Sequence, residues 1–375
     1  MISMPGFVPL LESEDMLRER IGSVTIPELV LQSGRLEKPV QVYAMYGELN
    51  DRADNAIVIC HALTGSHRLA GEKIEGQPDP WWDALVGDNK VFDTGKYCVI
   101  CFNNIASPYG STSPMSINPK TGKRWNMSFP IVSPRDVAIA QKEALKALGI
   151  KKIAAVAGGS LGGMIAAEMA VSFPEDVEKC VLIAAPDRLY PQAIAFNAVQ
   201  RNSIMSDPEW KCGDYEGRGP SRGLALARML AMITYRSEQS FSGRYMREMA
   251  RGSADDWEGQ FKVESYLYHH GEELVRRFDA NCYLYLTKMM DLHDIGSGRG
   301  GLTEAWRLFA GRKLLAVGIS SDMLFPSWQV EEAARNARNG GVDARYEEIE
   351  SENGHDSFLI DFDQLDDFIR PFLSE

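Results

Sequence analysis

Four short runs limit this chain more than any other feature: AIVICHA (Ala56–Ala62), KYCVICFN (Lys96–Asn103), KIAAVAG (Lys152–Gly158) and KCVLIAA (Lys179–Ala185). Each is apolar almost without interruption. A strand with one wet face alternates polar and apolar residues, whereas a strand covered on both faces does not. The runs therefore read as strands of a parallel sheet clothed by helices. Helical patterns at Pro134–Leu148 and Met164–Ser172 supply part of that cover. The alternation predicts an α/β architecture. Gly22–Gln32 and Val40–Gly47 alternate more clearly and are expected as an antiparallel edge.

From Asp187 to Gly300 the strand pattern is expected to vanish. Helical runs follow one another at Pro191–Ser206, Arg222–Tyr235, Ser240–Arg251, Val263–Phe278 and Cys282–Asp291. The α/β rhythm then returns: helix Leu302–Phe309, strand Lys313–Ile319, helix Trp328–Arg338, strand Arg345–Ile349 and helix Phe362–Phe372. The expected organisation is a core of residues 1–185 and 301–375 with a helical insertion at 186–300. Such an insertion lies above the C-terminal strand ends, where a lid belongs.

The length of 375 residues fits two to three domains, or one α/β domain with an insertion. Lys and Arg number 40 against 52 Asp and Glu, a net charge of −12. That balance speaks against a nucleic-acid surface and against docking on an anionic membrane. The apolar stretch Ile153–Ala167 is broken by glycines and ended by Glu168, too short to span a bilayer. No basic residue precedes Arg18, so no secretory signal is expected, and the location is expected to be cytoplasmic. The six cysteines (Cys60, Cys98, Cys101, Cys180, Cys212 and Cys282) are expected as buried free thiols. Cys98 and Cys101 have C-x-x-C spacing, but in a strand residues three apart face opposite sides.

Gly158-Gly159-Ser160-Leu161-Gly162 fits G-x-S-x-G, preceded by an apolar strand and followed by an apolar helix. A serine on that tight strand-to-helix turn is exposed for nucleophilic attack, and only glycines leave room beside it. The helix N-terminus favours developing negative charge there. The other reading is a close-packed turn with a bystander serine. In this arrangement an acid and then a histidine follow the serine along the chain. Of the six histidines only His355 follows the final strand, and the strand before it runs into Asp322. One helix and one strand fit between them. Read apart from Ser160, Asp322 is a turn cap and His355 a surface-loop residue. The turn His61-Ala62-Leu63-Thr64-Gly65 follows the first core strand, so the Leu63 and Leu161 backbone amides are candidates to hold an oxyanion. His61 precedes the serine in the chain and reads as structural.

These and longer strings resemble the homoserine O-acetyltransferase family of α/β-hydrolase-fold enzymes. They include CHALTG (Cys60–Gly65), FDTGKYCVICFN (Phe92–Asn103), YGSTSP (Tyr109–Pro114), GGSLGGM (Gly158–Met164), AIAFNAVQR (Ala193–Arg201), ARMLAMITYR (Ala227–Arg236) and GHDSFL (Gly354–Leu359). The resemblance implies an α/β-hydrolase fold and a two-step acyl transfer. Ser160 would accept acetyl from acetyl-CoA, a substrate rather than a bound cofactor, and pass it to a hydroxy amino acid. His355 would move the protons and Asp322 would hold its imidazole. Arg201 and Tyr235 match the family's acceptor contacts, and Asp356 its ammonium contact. A homodimer is implied as well.

Leu161 stands where the family usually has Met, Glu168-Met169-Ala170 where it has Glu-Trp-Ala, and Ser242-Gly243-Arg244 where it often has Phe-Gly-Arg. The acceptor therefore stays open between homoserine, serine, another alcohol and water, the last making the protein an acetate or short-chain esterase. A non-catalytic binding protein is the reading from a different class. No metal is implied, because His269-His270 has no third ligand nearby. GGSLGG lacks the Lys-Ser/Thr of a phosphate-binding loop.

Overall fold

The computed structural model describes residues 19–375, and the reading of the N-terminal segment lies outside them. One sheet organises the rest: β1 (Arg20–Thr25), β2 (Val40–Tyr46), β3 (Ala56–Cys60), β4 (Cys98–Phe102), β5 (Ile153–Gly159), β6 (Lys179–Ile183), β7 (Lys313–Ile319) and β8 (Asp343–Ile349). Across the sheet the order is β1-β2-β4-β3-β5-β6-β7-β8. β2 is antiparallel to both β1 and β4, and every other pairing is parallel. The alternating segments thus form the antiparallel edge, and the apolar runs form the interior. β3 and β4 are buried at every residue. Cys98 packs in the apolar cluster on one face and Cys101 in that on the other.

Helices α1 (Pro134–Ala147) and α2 (Leu161–Ser172) flank β5. Ser133 starts α1 with a capping box. Its hydroxyl accepts the Asp136 N–H at 3.2 Å, and the Asp136 carboxylate accepts the Ser133 N–H at 2.8 Å. Between β6 and β7 come α3 (Pro191–Met205), α4 (Ser221–Tyr235), α5 (Glu238–Tyr245), α6 (Lys262–Arg277), α7 (Ala280–Asp291) and α8 (Leu302–Arg307). α9 (Ser327–Asn339) joins β7 to β8, and α10 (Phe362–Ser374) follows β8. The inserted helices leave and rejoin the core side by side. The Leu189 N–H donates to the His293 carbonyl at 2.9 Å and the Ile295 N–H to the Asp187 carbonyl at 3.1 Å.

Four expectations need correction. The insertion does contain strands, because Met249–Arg251 pairs antiparallel with Gln260–Phe261. The helix expected to reach Arg251 stops at Tyr245, where Met246 turns to φ +41°. The expected strand Gly22–Gln32 breaks at Ile26-Pro27, since Pro27 has no N–H to give a ladder. Its second half, Glu28–Leu31, pairs instead with Gly34–Glu37. All six cysteines are free, but Cys212 is exposed, at a kink where Lys211 and Cys212 both have positive φ. Among the described residues no helix is long and apolar enough to cross a membrane.

Candidate active site

Parallel strands place their C-terminal ends along one edge of the sheet, and the candidate residues sit there, after β3, β5, β7 and β8. Ser160 joins β5 to α2 at φ +56° and ψ −126°, a region that side-chain-bearing residues avoid. Its neighbours are glycine for a measurable reason. A Cβ on Gly162 would stand 2.0 Å from the Cys60 carbonyl oxygen, and one on Gly158 2.4 Å from the Gly162 carbonyl carbon. One on Gly159 would stand 2.6 Å from the Phe358 ring. The turn is held by contact with β3 and with the loop after β8. Leu161 opens α2, so its N–H is one of the helix's unpaired N-terminal donors.

Asp322 and His355 meet directly. His355 Nδ1 lies 2.6 Å from Asp322 Oδ2, while Asp322 Oδ1 accepts the Leu324 N–H at 2.8 Å and the Phe325 N–H at 2.9 Å. The carboxylate is thus oriented from both oxygens. It orients the ring with Nδ1 toward Asp322 and leaves Nε2 free to accept a proton. Nε2 is buried and has no partner among the described residues. Three aromatic rings wall the imidazole: Phe325 at 5.0 Å, Tyr235 at 5.6 Å and Phe358 at 5.7 Å between centroids. Phe358 also packs on Gly159, so one ring buttresses both the serine turn and the histidine.

Tyr235 ends α4 beside His355, and burial pushes its hydroxyl up to about 12. Asp356 is adjacent in sequence to His355. Burial raises its carboxyl above the usual range, against the pull of Arg236 and Arg228. Arg236 lies 3.5 Å from Asp356. Arg201 departs from expectation. It pairs with Asp291 at 2.6 Å, and Asp291 also accepts from Asn197. One guanidinium nitrogen, Nη1, is left without a partner, but its charge is neutralised in a clamp between α3 and α7.

The cation that the sequence reading passed over is Arg228. Its guanidinium carbon stands 5.5 Å from the Tyr235 ring centre, and its charge acts on both Tyr235 and Asp356. It has no carboxylate partner among the described residues. Arg228 and Tyr235 are seven apart on α4, two helical turns, and so share a face. That spacing was the available signal. Behind the Asp322 loop lies a depression of about 800 Å³ lined in part by Glu238, Glu350 and Glu352. Its carboxylates suit no anionic substrate.

The family profile of the alpha/beta hydrolase fold matches residues 55–362. The chain is 47% identical over 356 residues to the homoserine O-acetyltransferase of Carboxydothermus hydrogenoformans, covering 93% of this chain and 94% of that one. It is 48% identical over 351 residues to that of Moorella thermoacetica, covering 92% and 94%. Among solved structures, homoserine O-acetyltransferase from Bacillus anthracis superposes with a TM-score of 0.89 at 30% identity, covering 96% of this chain and 99% of that one. Esterase E22 superposes with a TM-score of 0.86 at 26% identity, covering 96% and 100%.

Proposed function

The chain belongs to the homoserine O-acetyltransferases of the alpha/beta hydrolase fold, and from that premise we propose that it carries acetyl from acetyl-CoA to the hydroxyl of L-homoserine through an acetyl-Ser160 intermediate. Ser160 Oγ attacks the thioester carbonyl while His355 Nε2 takes its proton. The Leu63 and Leu161 N–H groups hold the oxyanion, and the thiol leaves with that proton. Homoserine's hydroxyl then attacks the acetyl ester, gives its proton to His355, and Ser160 is restored. Asp322 keeps the ring oriented and favours the imidazolium in both halves.

The observation that carries the acceptor is the presence of both charges at the aromatic wall of His355: Arg228, with no carboxylate partner among the described residues, and Asp356, which faces Arg236 at 3.5 Å. An amino-acid zwitterion needs one of each. Arg228 takes over the carboxylate role first given to Arg201, and Tyr235 lies between the charges. The same reading makes this a cytoplasmic homodimer of methionine biosynthesis, with the inserted helices acting as a lid. Exposed Val199, Leu226 and Ile233 on α3 and α4 would be covered by the dimer contact.

Intact-mass measurement after mixing with acetyl-CoA tests the first step: one acetyl group on wild type and none on Ser160→Ala. Decay of that acetyl-enzyme with and without homoserine tests the second. Homoserine-accelerated decay supports transfer, whereas equally fast decay in water alone gives the esterase, an activity named for the related esterase E22 structure.

A further inference from the structure

His61 is fully buried in the turn after β3, and two backbone groups report the state of its ring. The Asn104 N–H donates to Nε2 at 2.9 Å. A backbone amide cannot accept there, so Nε2 carries no proton. A neutral imidazole then has its proton on Nδ1, and Nδ1 lies 2.8 Å from the Ala62 carbonyl oxygen. Burial pushes this histidine down to about 4, which keeps the ring neutral at physiological pH. The Nδ1–H therefore donates to Ala62 O.

That carbonyl belongs to the same planar peptide unit as the Leu63 N–H. In a trans peptide the two point in opposite directions, so fixing one aims the other. The Gly65 N–H clamps the same oxygen at 3.0 Å. Gly65 packs closely on the ring, since a Cβ there would stand 3.1 Å from His61 Cβ and 3.3 Å from its Nδ1. Asn104 is held in turn. Its side-chain oxygen accepts from Gln141 Nε2 at 3.1 Å, and its amide reaches the His61 carbonyl at 3.4 Å. The ring is a strut between a rigid buried network and one peptide plane.

We propose that His61 is a positioning residue that aims the Leu63 N–H at the oxyanion through the Ala62–Leu63 peptide, acting on the transition state without touching substrate. The proposal rests on Leu63 being an oxyanion donor, as in the function proposed above. It needs neither acetyl-CoA nor homoserine to be correct.

The chemistry of the ring separates its two contacts. Asparagine places an N–H donor where Nδ1 stands, so His61→Asn keeps the bond to Ala62. Glutamine reaches toward Nε2 but leaves Ala62 without its donor. Phenylalanine keeps the shape and loses both bonds. The experiment is the burst of nitrophenol from p-nitrophenyl acetate, which requires only acylation of Ser160. Burst amplitude counts folded active sites, and the burst rate constant reports how well the oxyanion is held. His61→Phe and His61→Gln should lower the rate constant about 10²-fold, the scale for losing one oxyanion donor, with KM unchanged. A trifluoromethyl ketone, whose hemiketal oxygen enters the same hole, should lose affinity in parallel. His61→Asn should stay within about tenfold of wild type. If His61→Phe does not fold, the Asn–Gln comparison decides alone. A reduced amplitude with a wild-type rate constant, or an Asn variant no faster than Gln, overturns the proposal. A serine that acylates normally but never passes acetyl to homoserine would sink the proposed function and leave this inference standing.

Discussion

Asp322 shows how little freedom the carboxylate proposed for catalysis has here. One oxygen is fixed by two backbone N–H groups and the other by His355 Nδ1. Asp322→Asn keeps the shape but offers an amide where the ring needs an acceptor, which favours the wrong tautomer. Acetyl transfer should fall by about three to four orders of magnitude while the thermal midpoint stays close to wild type. A mild effect would mean that the acid lies elsewhere. The acceptor site poses a finer test, because Arg201 and Arg228 lie in two different strings that match the family. Only the folded chain separates them. Asp291, the partner that occupies Arg201, is distant in sequence and recognisable only through the α3–α7 contact. The absence, among the described residues, of a carboxylate partner for Arg228 is equally invisible in one dimension. Arg228→Ala should weaken use of homoserine by about 2–4 kcal/mol in kcat/KM, the scale of a charge-assisted contact in a closed site. Acylation of Ser160 should be unaffected. Arg201→Ala should instead lower stability by about 2 kcal/mol, because it leaves Asp291 without its cation. Steady-state kinetics and thermal melts on both variants distinguish these roles, and an Arg201→Ala enzyme with normal stability but poor homoserine use would restore Arg201 as the anchor.

The strand–turn–helix unit β5–α2 is where sequence and structure correspond most closely, because its glycines have a steric cause that needs no knowledge of distant partners. α2 is buried from Leu161 to Val171, so it has no polar face to reveal its orientation. Its one buried charge, Glu168, accepts from Arg135 of α1 and pairs at 2.9 Å with Arg299 near the start of α8. The helix that follows Ser160 is thereby tied to the segment through which the inserted helices rejoin the core. Gly162→Ala is the informative change at this scale. Its methyl would meet backbone, Cys60 O at 2.0 Å, which cannot rotate away. A loss of about 3 kcal/mol or more in urea unfolding is expected, at the upper end of overpacking costs. Wild-type stability would mean that the turn can relax. The hairpin Met249–Arg251 and Gln260–Phe261 is the opposite case. Its strands are too short to show an apolar alternation, and its pairing depends on a tight loop in which a Cβ on Gly259 would lie 1.9 Å from Ser253 O. Helical periodicity therefore ran past the true end of α5. Pattern reading located the elements that are buried on a whole face and missed those held by a turn.

At the scale of the molecule, the site assembles because the loops after β3, β5, β7 and β8 rise from one edge of the sheet; the buried parallel sheet was legible from the four runs and the candidate residues from the order Ser160, Asp322, His355, whereas the strand order was not. The same dense burial leaves several ionisable groups uncharged, and this sets a pH limit. Burial pushes His61 down to about 4 and His67 to about 3, and it lowers His293, which joins the two crossings into the inserted helices through the Pro186 carbonyl. In the unfolded chain each of these rings binds a proton near pH 6.5. Their contribution to stability is complete above that value and is lost as pH falls toward 4. Asp187, also at the crossing and hydrogen-bonded to Trp306 and Asn336, works in the opposite sense. Burial raises it to about 6, so its contribution is complete below the ordinary aspartate value and is lost as pH rises through 6. Asp356 is raised as well and acts in the same direction as Asp187. His270 on α6 is lowered in the same way, to about 4, so four histidines that take up a proton on unfolding stand against two carboxyls that release one, and stability falls with pH below 6.5. The urea midpoint should therefore fall steadily from pH 7 to pH 5. His67 lies beside Arg68 and His61, and neither of its ring nitrogens has a partner among the described residues. His67→Phe removes one protonation without deleting a hydrogen bond, so it should flatten that slope by about the contribution of one proton. An unchanged slope in this variant would show that His67 is not held neutral by burial, and a midpoint that rises toward pH 5 would show that the carboxyls outweigh the histidines.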